Sequence, residues 1–363
     1  MSDQAILDEI VALTCDLIAI PSTADRPDQL RAAIDYAERY ARTVPGVRFQ
    51  RAEAEGKPSL VVTLRETQTP AVLLNAHLDV VPARAEQFQP TVQGGRIYGR
   101  GSQDMKGAAA ALLRLLKAMA ALPTPPDVGL MFVSDEEIGG MDGTGYLLEE
   151  GWRCGFFLAA EPTDLQICYQ QKGVLWVEVR LPGRPAHGSR PWEGQNAIAA
   201  LRDGLVALEQ RYPTPEGPVW RTTVAPTIVR GGEADNRLPE EVTLMLDVRH
   251  IPEEPPEAVM AALRACFPGG QVRLLRGGPP LATDPQDAGV QRLAECVAAA
   301  TGRPAQLYRE HFASDARFYS QAGIPAVCLG PIGAGLHSDQ EWVDIASLGQ
   351  LYEALWRFVA GGD

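Results

Sequence analysis

The chain has 363 residues, of which 45% are hydrophobic and 22% charged. That is enough for one large domain or two ordinary ones with a sizeable core, and it is unlike a disordered or fibrous composition. The formal net charge of −13 argues against a nucleic-acid or anionic-membrane partner, but not against a small anionic substrate, for which one or two local cations suffice.

At the N-terminus, Asp3, Asp8, Glu9 and Asp16 interrupt every apolar run, so the segment reads as neither a signal peptide nor a membrane span. The spacing of Ile6, Ile10, Leu13 and Leu17 predicts an amphipathic first helix. A cytoplasmic enzyme is the expectation. The six cysteines (Cys15, Cys154, Cys168, Cys266, Cys296 and Cys328) form no Cys-x-x-Cys pair and lie in apolar runs, which reads as buried reduced thiols.

Up to about residue 170, short apolar strands alternate with helices: VVTL near 61, AVLLNAH at 71–77, VGLMFVS at 128–134 and FFLAA at 156–160. Continuous apolar runs of this kind suit a mostly parallel sheet covered by helices on both faces. The Ala- and Leu-rich stretch DMKGAAAALLRLLKAMAAL is the helix between them. After about 282 the same rhythm resumes with helix DAGVQRLAECVAAAT, strand PAVCLG at 325–330 and helix ASLGQLYEALWRFVA.

Residues 172–281 differ. Val242, Leu244, Leu246 and Val248 alternate with Thr243, Met245, Asp247 and Arg249, the pattern of a sheet with one wet face. The predicted order is strand 174–181, helix 195–210, strands 221–230 and 241–250, helix 255–266 and strand 271–276. That β-α-β-β-α-β order is ferredoxin-like. The fold class is therefore α/β, with a first domain over 1–171 and 282–363 and an inserted α+β domain over 172–281.

Chemistry gathers at strand ends. His77 and Asp79 stand two apart in NAHLDVVP, a spacing that on a strand would let Asp79 accept the proton of one His77 ring nitrogen while the other nitrogen binds metal. Asp104 opens the Ala-rich helix; Glu136 and Glu137 follow one strand, Glu161 another, and His337 follows PAVCLG. Ligands of open α/β sheets bind at the carboxyl ends of strands, and a mixed set of His and carboxylates suits zinc. Singly, each residue has a bland alternative: Asp104 as a helix cap, Glu136-Glu137 as a solvated loop, a histidine as a structural hydrogen-bonder. Together, recurring after strand upon strand, they point to a metal centre. The chain has no G-x-S-x-G elbow, no P-loop, and no G-x-G-x-x-G following a strand.

These motifs resemble those of the acetylornithine deacetylase / succinyl-diaminopimelate desuccinylase / carboxypeptidase-G family of dinuclear zinc hydrolases. HLDVVP, GRGSQDMKG, SDEEIGG, AEPT, GRPAHGSRPWEGQNAI, DVR at 247–249, SDARF and GPIGAGLHSDQE occur in family order over nearly the whole chain. The resemblance implies a zinc-exopeptidase-like catalytic domain and two Zn²⁺ per subunit, replaceable by Co²⁺ or Mn²⁺. Asp104 would bridge the two metals, with His77 and Glu161 completing one and Glu137 and His337 the other. Glu136 would be the general base and Asp79 the residue that orients His77. The family often has a cis peptide after the bridging acid, here Asp104–Met105. The inserted domain would be a lid through which a homodimer forms, with the helix at 195–210 and the following strand as the dimer surface. Its His187 matches a histidine that steadies the oxyanion in the partner's site. Asn236 and Arg249 match positions that hold the substrate carboxylate, and Gly333 is a further candidate for substrate binding; without the family, a surface strand arginine is an equal reading of Arg249. His250 and His311 read as structural or surface residues.

The leading functional reading is an amidohydrolase of small N-acyl amino acids. A dipeptidase or glutamate-type carboxypeptidase on the same fold is the alternative in chemistry. A non-catalytic metal-binding scaffold is the third; its mark would be a missing ligand or base, and neither is missing.

Overall fold

The structure is a computed structural model and describes residues 3–361, so residues 1–2 and 362–363 of the expected first domain lie outside the described residues. The chain divides into two compact units. The first comprises 3–169, 281–308 and 314–361; the second comprises 170–280 and 309–313.

In the first unit the strands Val72–His77, Val128–Val133, Phe156–Ala159 and Ala326–Cys328 run parallel as the middle of a larger mixed sheet. Further strands flank them: Lys57–Thr63 and Arg48–Ala54, both antiparallel to their neighbours, on one side, and Ile167–Gln171, antiparallel to Ala326–Cys328, followed by Leu281–Ala282 on the other. The apolar runs are continuous because alternate residues serve two cores. Leu74, Ala76, Leu130, Phe132 and Leu158 face the helices Asp3–Ile18, Pro27–Ala41, Gly107–Ala120, Ala288–Thr301 and Ile345–Ala360. Leu73, Met131, Val133, Phe157 and Ala159 face Leu147, Trp152, Phe318 and Tyr319 on the opposite side. The expected first helix buries Ile10, Leu13 and Leu17. No helix among the described residues is long and apolar enough to cross a membrane.

One expectation changes. The Ala-rich helix begins at Gly107, and Asp104, with φ −118° and ψ 92°, lies in the turn before it. Asp104 is thus neither helical nor a cap, and its carboxylate is free for other work. The Asp104–Met105 peptide bond is cis. All six cysteines are thiols outside any disulfide.

The second unit is a four-stranded antiparallel sheet in the order Thr223–Gly231, Glu241–His250, Gly173–Pro182, Gln271–Gly278. Leu175, Val177, Val179 and Leu181 join Val242, Leu244, Leu246 and Val248 on one face, packed against the helices Ala197–Arg211 and Pro256–Cys266. Thr243, Met245, Asp247 and Arg249, on the other face, are only half-buried. Asn196 caps the first of these helices, its Oδ1 accepting the Ile198 amide at 2.9 Å. Gly204 gives the two helices room: a Cβ there would stand 2.2 Å from the Phe267 ring.

Candidate active site

The carboxyl ends of the parallel strands converge. His77 ends its strand and is fully buried; Glu161 lies two residues past another strand and is 4% exposed. The donor atoms of His77, Asp104 and Glu161 lie within 4.8 Å of one another, as do those of Asp104, Glu137 and His337. Asp104 belongs to both groups. Its Oδ1 is 2.9 Å from His77 Nε2 and its Oδ2 is 3.4 Å from His337 Nε2, so each oxygen serves one side. His337 Nε2 is also 3.3 Å from Glu137 Oε2. All five residues expected as ligands therefore meet in two triads sharing one carboxylate.

The orientation of His77 differs in detail from the expectation. Its Nδ1 lies 2.9 Å from the main-chain carbonyl of Asp79 and 3.6 Å from the Asp79 carboxylate. Asp79 stands beyond the strand end, where side chains no longer alternate, so its carbonyl turns toward the ring. A carbonyl can only accept, so Nδ1 donates to it; Nε2 donates to Asp104 Oδ1 and is the nitrogen that would give its lone pair to a bound cation. The Asp79 carboxylate instead accepts the amides of Glu136 (3.2 Å) and Glu137 (3.0 Å), which pins the loop carrying both acids.

The electrostatics suit cations. Burial, reinforced by Glu161, pushes Glu136 well above the usual carboxylate range. Burial likewise pushes Glu161 up to about 8, and its Oε1 is buried without a hydrogen-bond partner. Burial alone would raise Asp104, but hydrogen bonds from His337 and His77 hold it below its ordinary value. The bonds that His337 gives to Asp104 and Glu137 push it up to about 10. Three carboxylates and two imidazoles, with no lysine or arginine in either triad and one carboxylate oxygen orphaned, fit a pair of divalent ions.

Three parts of this surround carry no role in the sequence reading. Asp135, one residue before Glu136, accepts the amides of Asp142 (2.8 Å) and Gly143 (3.0 Å). Asp315 accepts from Thr144 Oγ1 at 2.6 Å, and Thr144 in turn accepts from Asn75. Burial pushes these two acids up to about 7 and about 6. Lys106, fully buried, donates to the carbonyls of Leu17 and Ile20 and so ties the turn after Asp104 to the first helix. The signal was present in SDEEIGG, SDARF and DMKG, but a polar residue in a loop does not announce that it is buried.

The remaining candidates divide between the units. Gly333 is in the first, where a Cβ would stand 2.7 Å from Gln103, the neighbour of Asp104. His187, Asn236 and Arg249 are in the second. His187 Nδ1 accepts the Ser189 amide at 3.2 Å, which leaves Nε2 as the proton-bearing, donating nitrogen of an exposed ring. The Asn236 carbonyl accepts the Gly188 amide at 2.6 Å, so Asn236 adjoins the His187 turn. Arg249 forms a two-point pair with Asp247, at 2.8 and 3.2 Å. His250 is buried in the second unit, its Nδ1 3.1 Å from the Glu254 carbonyl.

An α/β sheet with a shared carboxylate, paired imidazoles and a neighbouring free glutamate at its strand ends defines a metal-dependent hydrolase of the zinc-peptidase class. The chain belongs to peptidase family M20/M25/M40, whose model matches residues 73–360. It is an enzyme that hydrolyses amide bonds. The chain is 29% identical over 318 residues to the succinyl-diaminopimelate desuccinylase of Halorhodospira halophila, covering 80% of this chain and 83% of that one. It is 27% identical over 366 residues to the desuccinylase of Variovorax paradoxus, covering 92% of each. Among solved structures, the aminopeptidase PepT of Bacillus cereus superposes with a TM-score of 0.79 at 18% identity, covering 97% of this chain and 98% of that one. Human carnosine dipeptidase 1 superposes with a TM-score of 0.69 at 18% identity, covering 99% of each. These two likenesses are likenesses of fold.

Proposed function

We propose that the chain is a deacylase of small N-acyl amino acids bearing a free carboxylate, of the desuccinylase kind, working with two zinc ions per subunit. The observation that carries this reading is the pair of triads sharing Asp104, with the unshared Glu136 beside them. The similarity to named desuccinylases over most of the chain favours an acyl-amino-acid substrate over a dipeptide.

His77, Asp104 and Glu161 would hold one ion, and Asp104, Glu137 and His337 the other. Held by these residues, two divalent ions would supply Lewis-acid chemistry, lowering the pKa of a water and polarising a carbonyl. Glu136, whose carboxyl burial lifts well above its ordinary range, takes a proton from the water at its carboxylate and delivers it to the leaving amine nitrogen. Asp79 holds Glu136 in place through its amide and fixes the His77 tautomer through its carbonyl. Arg249, with Asn236 and Gly333, would bind the substrate's carboxylate. A panel of N-succinyl, N-acetyl and dipeptide substrates, assayed with zinc added, tests the reading. N-acyl amino acids should give the highest kcat/KM; a preference for dipeptides would establish the peptidase alternative.

The second unit acts as a lid and as the surface of a homodimer. Ile198 and Val206 on its first helix, and Ile228 and Val229 on the following edge strand, are 46–55% exposed, an apolar surface that a second copy would cover. His187 then donates from Nε2 to the tetrahedral oxyanion across the interface, in a site closed by lid motion. Removing one such donor typically costs ~10²–10³ in turnover, so His187→Ala should slow kcat by that order without loss of metal. Mixing refolded Glu136→Gln and His187→Ala chains should restore part of the activity, because one site of the mixed dimer has both groups intact. Absence of recovery, or a fully active monomer, defeats the arrangement.

A further inference from the structure

Glu341 is 2% exposed and stands four residues after His337. Its Oε1 accepts the amides of Gln103 (3.0 Å) and Asp104 (3.2 Å). Its Oε2 accepts the Gly101 amide at 3.0 Å and Arg100 Nη1 at 2.5 Å. Three consecutive-region amides thus close around one carboxylate, with a guanidinium behind it. Charge-assisted bonds of this kind are short, strong and directional. Arg100 Nη2 donates to the Ser338 carbonyl at 3.1 Å, and the Gly99 amide donates to the Glu341 carbonyl at 3.1 Å. The turn that carries Asp104 and the turn that carries His337 are therefore stapled through one buried ion pair. His337 itself has φ +58°, a conformation costly for a residue with a side chain, which persists only where its surroundings impose it.

We infer that Glu341 is a positioning residue for the metal pair: through main-chain amides it aims the Asp104 carboxylate shared by both triads, and it registers the His337 turn against it. The inference rests on the metal assignment proposed above. A fold-stabilising carboxylate would have no cause to grip the peptide of the bridging acid on one side and the turn of a terminal ligand on the other. Groups that orient metal ligands typically contribute 10–100-fold to metal affinity.

The test is cobalt(II) titration followed by visible absorption and by competition with a chelator, well below the unfolding temperature. It compares the wild type with Glu341→Gln, Glu341→Ala and Arg100→Lys, with Asp104→Ala as control. Glu341→Gln keeps the shape and one accepting oxygen. It should fold, bind at least one of the two cobalt equivalents about 10–100-fold more weakly, and show an altered visible band; Glu341→Ala should be weaker still. Arg100→Lys keeps the charge and the three amide bonds but gives up the fork to Ser338, so it should weaken only the equivalent that His337→Ala also removes. Variants that bind both equivalents within threefold of wild type, with an unchanged band, overturn the inference. A wild type that takes up no cobalt, and matches Asp104→Ala, overturns the metal assignment instead.

Discussion

Glu136→Gln is expected to lower kcat by about 10²–10⁴-fold while bound metal stays unchanged. Glu136 and Glu137 are adjacent, yet the structure separates their tasks. Glu137 Oε2 meets His337 Nε2 at 3.3 Å, whereas Glu136 belongs to neither triad. Both amides hang on the Asp79 carboxylate, so one anchor fixes two side chains that diverge from a short turn. Glutamine keeps the size and the backbone grip but cannot relay a proton. Steady-state kinetics beside metal analysis of the same preparation checks the point. A variant that lost one equivalent of metal would show that Glu136 is a ligand and that the two acids exchange roles.

Asp104→Ala is expected to remove both metal equivalents at once. Asp104 is the one residue common to the two triads, giving Oδ1 to one and Oδ2 to the other. Each of the other four proposed ligands belongs to a single triad, so His337→Ala or Glu161→Ala should cost one equivalent. Metal ions in such a site supply several kcal/mol of transition-state stabilisation, so turnover should fall on the order of 10³-fold or more. Equilibrium dialysis with zinc measures the loss, and circular dichroism confirms that the variant folds. Retention of one tight equivalent would mean that the metals are not bridged by this carboxylate.

The elements most legible in the amino-acid sequence were those whose burial is uniform. Val72–His77 and Val128–Val133 are buried almost throughout because both faces are covered, and Glu241–His250 alternates because one face is half-exposed. The helix Pro27–Ala41 and the hairpin formed by Arg48–Ala54 and Lys57–Thr63 were not fully read: the helix is largely polar on its outer side, and the edge strand is mostly exposed. The five residues proposed as ligands could be assembled from strand-end placement and family motifs, since metal ligands need particular atoms at particular ends. What holds those ligands could not. Asp79 acts on His77 through its carbonyl, and Glu341 acts on Asp104 through amides. Main-chain groups are the same at every position, so no pattern of side chains announces such contacts.

The long segment of the second unit, 170–280, begins and ends near neighbouring strands: Val174 faces Gly278 across an antiparallel pair. Adjacent strands lie about 4.8 Å apart, so the polypeptide departs and comes back within one strand spacing. Whatever lies between closes its own loop while forming its own core, and the entropy of joining the two ends is met there, not by the catalytic sheet. In the topology of the polymer the inserted unit is a side branch. Its length and surface can change without re-threading the parallel strands whose ends carry the two triads.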